Sequence, residues 1–130
     1  MNFIGPEHAS GQILVVDDDE AILALFSNIL TNAGYEVSTA QDGAKALRMA
    51  QMESFDLLLT DLVMPDRDGI EVIQSIRKHQ PKLRIIAISG AFGGSMLRAA
   101  ELLGAQATLP KPCTSTHLLT TIRNVLRSEA

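Results

Sequence analysis

The 130-residue chain lacks several features that would assign it to familiar classes of protein. Its single cysteine, Cys113, cannot form a disulfide within the chain. No apolar run approaches the length of a membrane span or follows a charged start as in a signal peptide. The formal charge of −4, without a segment rich in Lys and Arg, offers no basic surface to nucleic acid. We therefore expect a cytoplasmic protein that binds neither nucleic acid nor a membrane directly.

The composition is that of one folded domain. Hydrophobic residues make up 46% of the chain and charged residues 20%, which is typical of a globular protein and not of a disordered one. At this length a chain buries roughly two thirds of the surface that it exposes when unfolded. Residues 1–11 mix Gly, Pro, Ser and His without periodicity. We predict a loose leader there and one domain over residues 12–130.

Short apolar runs alternate five times with segments of helical periodicity. The runs lie at 13–16, 35–40, 55–60, 83–88 and 105–109. Their apolar residues point to both faces, which is typical of parallel strands covered by helices on both sides. The predicted apolar stripes include Ile22, Leu25, Phe26, Ile29 and Leu30 in the first helix and Leu118, Ile122, Val125 and Leu126 in the last. Because parallel strands need right-handed crossovers, we predict an α/β fold with an open, doubly wound parallel sheet. The flavodoxin-like (βα)5 arrangement with strand order 2-1-3-4-5 is the natural guess for five such units.

Four of the predicted strands end at or just before polar residues. Asp17 and Asp18 follow the first strand, Asp61 the third, Ser89 the fourth, and Lys111 comes shortly after the fifth. In open α/β sheets, ligands bind outside the carboxyl ends of the strands, where the strand order reverses. We therefore expect these five side chains to lie in one pocket.

Three carboxylates in one pocket favour a bound cation. At separations of about 4 Å they would repel by on the order of 4 kcal/mol per pair at an effective dielectric constant near 20. Mg²⁺ suits oxygen ligands, and no His or Cys of the pocket supports zinc. A serine hydroxyl and a lysine ammonium suit a phosphoryl group beside the metal. An aspartate between Mg²⁺ and lysine can attack phosphorus, and Asp61 is the candidate because its strand should be central.

Four motifs, in this order, resemble those of the receiver domain of two-component response regulators. They are VVDDDE, LLLTDLVMPDRDG, IAISG and LPKP, and the resemblance covers residues 12–128. It implies that Asp61 accepts a phosphoryl group from a phosphohistidine. The donor would be a sensor histidine kinase or a histidine phosphotransfer protein.

The same resemblance implies roles for the rest of the pocket. The implied ligands of Mg²⁺, direct or through water, are Asp17, Asp18, Asp61 and the main-chain carbonyl of Val63. Ser89 receives a phosphoryl oxygen, and Lys111 pairs with it. The face formed by the fourth helix, the fifth strand and the fifth helix then shifts between two populations and is read by a downstream effector protein. The domain would act as a monomer or as a phosphorylation-linked homodimer.

Thr108 differs from the residue that many receiver domains carry, and Gly90 and Val63 bear on the phosphorylation reaction. Thr108 stands three positions before Lys111, where an aromatic residue often rotates inward, so the resemblance does not extend to that switch. Gly90 after Ser89 is small and leaves the phosphoryl site open. Val63 has no polar side chain to position a hydrolytic water, so we expect an acyl phosphate that outlasts that of a Val63→Asn variant.

Other functions remain open on the sequence alone. An aspartate-based phosphohydrolase would use the same nucleophile but would want a second acid two residues later, where Val63 lies. A nucleotide- or flavin-binding module would need a glycine-rich turn in place of DDDE. An interaction scaffold with a silent pocket would not need the acidic, hydroxyl and lysine set. Since the chain ends near the last predicted helix, we expect no output domain in it, and no enzyme activity beyond assisting its own phosphorylation and dephosphorylation.

Overall fold

The structure, a computed structural model, describes residues 11–62, 69–90, 94–111 and 113–127, and for residues 69 and 94–97 the backbone alone. The predicted leader, apart from Gly11, lies outside the described residues, and so does Val63. Within the described part of the chain, no helix is both long and apolar enough to cross a membrane.

Five strands and five helices alternate along the chain. They are β1 (Gln12–Val16), α1 (Glu20–Asn32), β2 (Glu36–Ala40), α2 (Gly43–Met52), β3 (Leu57–Asp61), α3 (Gly69–His79), β4 (Arg84–Ser89), α4 (Gly94–Leu102), β5 (Ala107–Pro110) and α5 (Ser115–Arg127). The predicted alternation is confirmed.

The strands form one parallel sheet in the order β2-β1-β3-β4-β5. The register places Val16 beside Thr60, Asp61 beside Ile88, and Ser89 beside Pro110. The last residues of β1, β3, β4 and β5 therefore lie along one edge. This confirms the predicted flavodoxin-like order and places the reversal of strand order at β1 and β3.

Both faces of the sheet are buried under helices. Along β1, Leu14 and Val16 belong to one apolar cluster, and Ile13 and Val15 belong to the other, because successive strand residues point to opposite faces. The helices contribute Ala46, Ala50, Val72, Ile73, Ile76 and Ala100 to the first cluster and Leu23, Phe26, Leu30, Leu118, Ile122 and Val125 to the second. Burial on both faces explains why the strands are almost continuously apolar.

Short polar side chains cap the amino ends of several helices. Asp19 Oδ1 accepts a hydrogen bond from the Ala21 amide at 2.9 Å at the start of α1. Asp42 Oδ1 accepts one from the Lys45 amide at 2.8 Å at the start of α2. Thr114 Oγ1 accepts one from the amide of residue 117 at 3.0 Å, so Thr114 caps α5. Each cap satisfies an amide that has no partner within the helix, which fixes where the helix begins.

Two predicted details are wrong. The predicted apolar stripe of α1 includes Leu25, but this residue is 52% exposed, whereas Leu23 is buried. The sheet packs against the stripe that contains Leu23, Phe26 and Leu30, and periodicity did not distinguish the two stripes. The predicted second strand begins at Tyr35, but the Tyr35 amide donates to the Leu30 carbonyl at 3.1 Å and so completes the end of α1.

Candidate functional site

Two buried aspartates lie at the carboxyl ends of the two central strands. Asp17 directly follows β1 and is 2% exposed, and Asp61 is the last residue of β3 and is 7% exposed. The Asp17 amide donates to the Ala40 carbonyl at 3.2 Å, so the hydrogen-bond ladder continues past the end of β1. Because β1 and β3 are neighbours, the sheet itself holds these two carboxyl groups side by side.

Lys111 joins the two aspartates. Its Nζ lies 2.8 Å from Asp17 Oδ2 and 3.3 Å from Asp61 Oδ2. Its main-chain amide donates to the Ser89 carbonyl at 3.2 Å, which fixes the start of the side chain beside the end of β4. The ammonium therefore reaches from the β5 end of the site to both central carboxylates.

The pKa of Lys111 reflects this position. Burial alone would lower it, but the hydrogen bond to Asp17 and the negative charges of Asp61 and Asp17 together outweigh burial and raise the pKa above the usual lysine value. The side chain therefore carries its full positive charge at neutral pH. It offsets part of the repulsion between the two carboxylates.

Asp18 completes an acidic cluster at the surface of the site. It is exposed, and one carboxylate oxygen each from Asp17, Asp18 and Asp61 lie within 4.8 Å of one another. With these carboxylates ionised, the three acids and the Lys111 ammonium leave two negative charges. A divalent cation would balance them. The donor set consists of carboxylate oxygens without His or Cys from the described residues, which fits Mg²⁺ and not zinc.

Ser89 lies at the same edge of the sheet. It is the last residue of β4, is 4% exposed, and follows Ile88, which pairs with Asp61. Of the predicted site residues, the structure thus brings together Asp17, Asp18, Asp61 and Lys111 and places Ser89 on the strand next to Asp61. The carbonyl of Val63, the remaining implied metal ligand, lies outside the described residues.

The four acids of the DDDE segment have separate structural roles. Asp17 and Asp18 belong to the cluster, and Asp17 Oδ1 also accepts from the Asp19 amide at 2.9 Å. Asp19 caps α1, and Glu20 accepts a hydrogen bond from the Gln41 side chain. Only the first two acids of the segment therefore face the site.

An apolar groove adjoins the site on the side of α1. It has a volume of about 340 Å³ and is lined by Ile22, Leu25, Phe26, Lys111 and Cys113. Burial raises the pKa of the Cys113 thiol, and the charge of Lys111 lowers it by a smaller amount. This groove was not predicted, because its lining comes from α1 and from the segment after β5.

Comparisons with a family model and with known proteins indicate the same family. The model of the response regulator receiver domain matches residues 13–123. The transcriptional regulatory protein GlrR of Escherichia coli strain K12 is 34% identical over 123 residues, which are 95% of this chain and 28% of GlrR. The transcriptional regulatory protein CpxR of the same strain is 37% identical over 118 residues, which are 89% of this chain and 49% of CpxR. The chain thus spans half or less of the length of these two relatives.

A solved structure shows the same fold. The chemotaxis protein CheY4 of Vibrio cholerae is 33% identical and superposes with a TM-score of 0.84, covering 90% of this chain and 99% of CheY4. The strand order of the described residues and the similarity to this structure support the same fold.

Proposed function

Because the chain belongs to the family of response regulator receiver domains of two-component systems, we propose that Asp61 accepts a phosphoryl group from a phosphohistidine. The donor is a sensor histidine kinase or a histidine phosphotransfer protein. One observation carries the proposal above the others: Lys111 Nζ contacts both Asp17 and Asp61, beside a three-carboxylate cluster that suits a divalent cation. A positive charge and a metal site on the same aspartate are what phosphoryl transfer to a carboxylate requires.

In the proposed step, a carboxylate oxygen of Asp61 attacks the phosphorus of the phosphohistidine. A new phosphorus–oxygen bond forms and the phosphorus–nitrogen bond breaks. The electron pair of the broken bond leaves with the imidazole nitrogen, which takes a proton from solvent. The products are an aspartyl phosphate at position 61 and an unmodified histidine on the partner.

The other side chains hold the reacting groups in place. Asp17 and Asp18, with Asp61, would hold Mg²⁺, and the main-chain carbonyl of Val63 is the further ligand that the family resemblance implies. When bound, Mg²⁺ neutralises phosphoryl oxygens and orients them. Lys111 keeps the carboxyl groups of Asp17 and Asp61 together, and we assign the Ser89 hydroxyl and the Lys111 ammonium to the transferred phosphoryl group.

The signal leaves the site through the strands that carry these two groups. Ser89 ends β4, immediately before the segment that leads to α4, and Lys111 follows β5. We propose that movement of both toward the new charge shifts the face formed by α4, β5 and α5, which an effector protein reads in the cytoplasm. Thr108 in this face pairs with Ala87 of β4 and is half-buried. The domain acts as a switch and not as an enzyme that turns over a substrate.

Incubation with acetyl phosphate, with and without Mg²⁺, followed by intact mass measurement tests the proposal. We expect a gain of one phosphate that requires Mg²⁺ and is lost in Asp61→Asn. The matched control is Asp42→Asn, which removes one carboxylate at the cap of α2 but keeps an oxygen for the Lys45 amide, and it should be labelled like the wild type.

Two outcomes would contradict the proposal. Continuous release of phosphate from phosphate esters would indicate a phosphohydrolase. A folded wild-type chain that gains no phosphate in Mg²⁺ would indicate a scaffold with a silent pocket.

A further inference from the structure

Thr60 is a buried polar residue to which the proposed reaction gives no role. Among the residues that the structure describes, four polar or charged ones are buried, namely Asp17, Thr60, Asp61 and Ser89. Three of these belong to the site. Thr60 is the residue of β3 that directly precedes Asp61, and it is 0% exposed. Its hydroxyl needs a reason to be there, because burying a hydroxyl costs free energy unless it is hydrogen-bonded.

Packing does not explain why this residue is threonine. Successive strand residues point to opposite faces, so Thr60 shares its face of the sheet with Leu58 and Leu62, which belong to one apolar cluster. Its partners on the adjoining strands, Val16 and Ala87, belong to the same cluster. Valine has the same branched shape as threonine and no hydroxyl to remove from water. An apolar residue would therefore satisfy the packing at this position.

The hydroxyl holds the peptide group that follows Asp61. Thr60 Oγ1 donates to the main-chain carbonyl of Asp61 at 3.0 Å. The Leu62 amide, which belongs to the same planar peptide group, donates to the Ile88 carbonyl at 3.0 Å. This peptide group is thus held at its oxygen and at its nitrogen. Because it is attached directly to Cα of Asp61, its orientation limits the rotamers that the Asp61 side chain can adopt.

The direction of the Asp61 carboxylate determines several contacts at once. Its Oδ2 lies 3.3 Å from Lys111 Nζ, and one of its oxygens lies within 4.8 Å of carboxylate oxygens of Asp17 and Asp18. A rotation of the peptide group after Asp61 changes these distances together. The hydrogen bond of Thr60 therefore acts on the reacting side chain although the Thr60 side chain points away from it.

We propose that Thr60 is a positioning residue for phosphorylation, because its hydroxyl fixes the peptide group after Asp61 and so holds the carboxylate toward Lys111 and the other two acids. The inference rests on the proposed function of Asp61. Without the hydroxyl, one of the two hydrogen bonds on this peptide group is lost. The carboxylate then spends less time in the reactive orientation, and the rate at which it accepts a phosphoryl group falls.

The test separates the hydroxyl of Thr60 from its methyl group. Thr60→Ser keeps the hydroxyl alone, Thr60→Val keeps the methyl and replaces the hydroxyl with a second methyl, and Thr60→Ala keeps neither. At saturating Mg²⁺, labelling by acetyl phosphate, followed by intact mass, should stay near the wild-type rate in Thr60→Ser. It should be roughly tenfold slower in Thr60→Val and Thr60→Ala, as small displacements of positioned groups cause.

The urea midpoint should follow a different order from the labelling rate. Loss of a buried methyl group leaves a cavity, so Thr60→Ser should unfold at a lower urea concentration than Thr60→Val. Faster labelling in the less stable of these two variants supports a positioning role. The proposal fails if Thr60→Val is labelled like the wild type, or if the labelling rates follow the urea midpoints. Thr60→Ser and Thr60→Ala also differ by a hydroxyl and make the same comparison if Thr60→Val does not fold.

Thr39→Val is the matched control, because it removes a hydroxyl from a strand that contributes no side chain to the site. Thr39 is half-buried in β2 and pairs with Val15. The variant should be labelled at the wild-type rate, and equal losses in Thr39→Val and Thr60→Val would overturn the proposal. A wild-type chain without labelling contradicts the proposed function, whereas a wild-type rate in Thr60→Val contradicts this inference alone.

Discussion

A partly buried cation lies at each end of the sheet, and the two cations make different contacts. At the amino end, Arg77 donates to main-chain carbonyls, among them Pro81 at 2.8 Å and Gly104 at 2.9 Å. At the carboxyl end, Lys111 contacts the carboxylates of Asp17 and Asp61. The arginine thus binds neutral groups of the connecting segments, whereas the lysine lies within a cluster that keeps an excess of negative charge.

The difference shows how one sheet separates stability from chemistry. Arg77 joins the segment after α3 to the segment after α4, and burial lowers its pKa without removing the charge of a guanidinium. Its hydrogen bonds are directed to main-chain carbonyls of these two segments. The carboxyl end keeps an excess of negative charge that a divalent cation would balance, which favours binding there at the expense of stability.

The largest effect on folding is expected at the amino end. Arg77→Met leaves several carbonyls without their donor and should lower the free energy of unfolding by about 3 kcal/mol. Urea denaturation measures the loss, and labelling of the folded fraction by acetyl phosphate should keep the wild-type rate. The control is Arg98→Met, at an exposed position of α4, with a change within about 0.5 kcal/mol. A slow labelling rate in Arg77→Met would mean that the two ends are coupled.

The largest effect on chemistry is expected at the carboxyl end. Lys111→Met removes the ammonium beside Asp61 and should slow labelling by acetyl phosphate on the order of 100-fold, as loss of a group that stabilises developing charge does. Lys111→Arg keeps the positive charge but replaces the compact ammonium with a planar guanidinium. Its labelling rate should fall between those of the wild type and Lys111→Met. The comparison breaks down if Lys111→Met is labelled like the wild type while Arg77→Met is not.

Magnesium should stabilise the fold only through the carboxyl end. At a concentration tenfold above the dissociation constant, Mg²⁺ should raise the free energy of unfolding by about 1.4 kcal/mol. Thermal unfolding measures this increase, which should be reduced in Asp18→Asn and unchanged in Asp56→Asn. Asp56 precedes β3 at the other end of the sheet and accepts from the Gln12 amide at 2.8 Å, a bond that asparagine can keep. An equal loss of the Mg²⁺ effect in both variants would place the ion elsewhere.

The smallest expected effect concerns Cys113, because the reactivity of its thiol depends on the charge of the neighbouring Lys111. Burial raises the pKa of its thiol and the Lys111 charge partly opposes this, so iodoacetamide should alkylate it more slowly than a free thiol near pH 8. The thiolate fraction, and therefore the alkylation rate, should rise only at pH values above the usual pKa of a thiol. Lys111→Met should slow alkylation further, and a faster rate in that variant would show that the charge of Lys111 does not reach the thiol.

Much of the fold followed from local sequence pattern. Apolar runs such as 13–16 and 55–60, separated by helical periodicity, predicted the parallel sheet because burial on two faces leaves a continuous apolar signature. The apolar pattern predicted the wrong residue where two possible buried faces of a helix both satisfied helical spacing. The exposed Leu25 and the buried Leu23 both fit helical spacing, and only packing against the sheet distinguishes them.

The sequence by itself determined the family, the alternation of strands and helices and the set of polar residues that follow the strands, because each of these depends on residue type and spacing along the chain. Tertiary structure alone decided that Lys111 joins Asp17 to Asp61 and that Arg77 joins two connecting segments. These are contacts between residues far apart in the chain, and they arise only when neighbouring strands bring separate segments to the same end of the sheet.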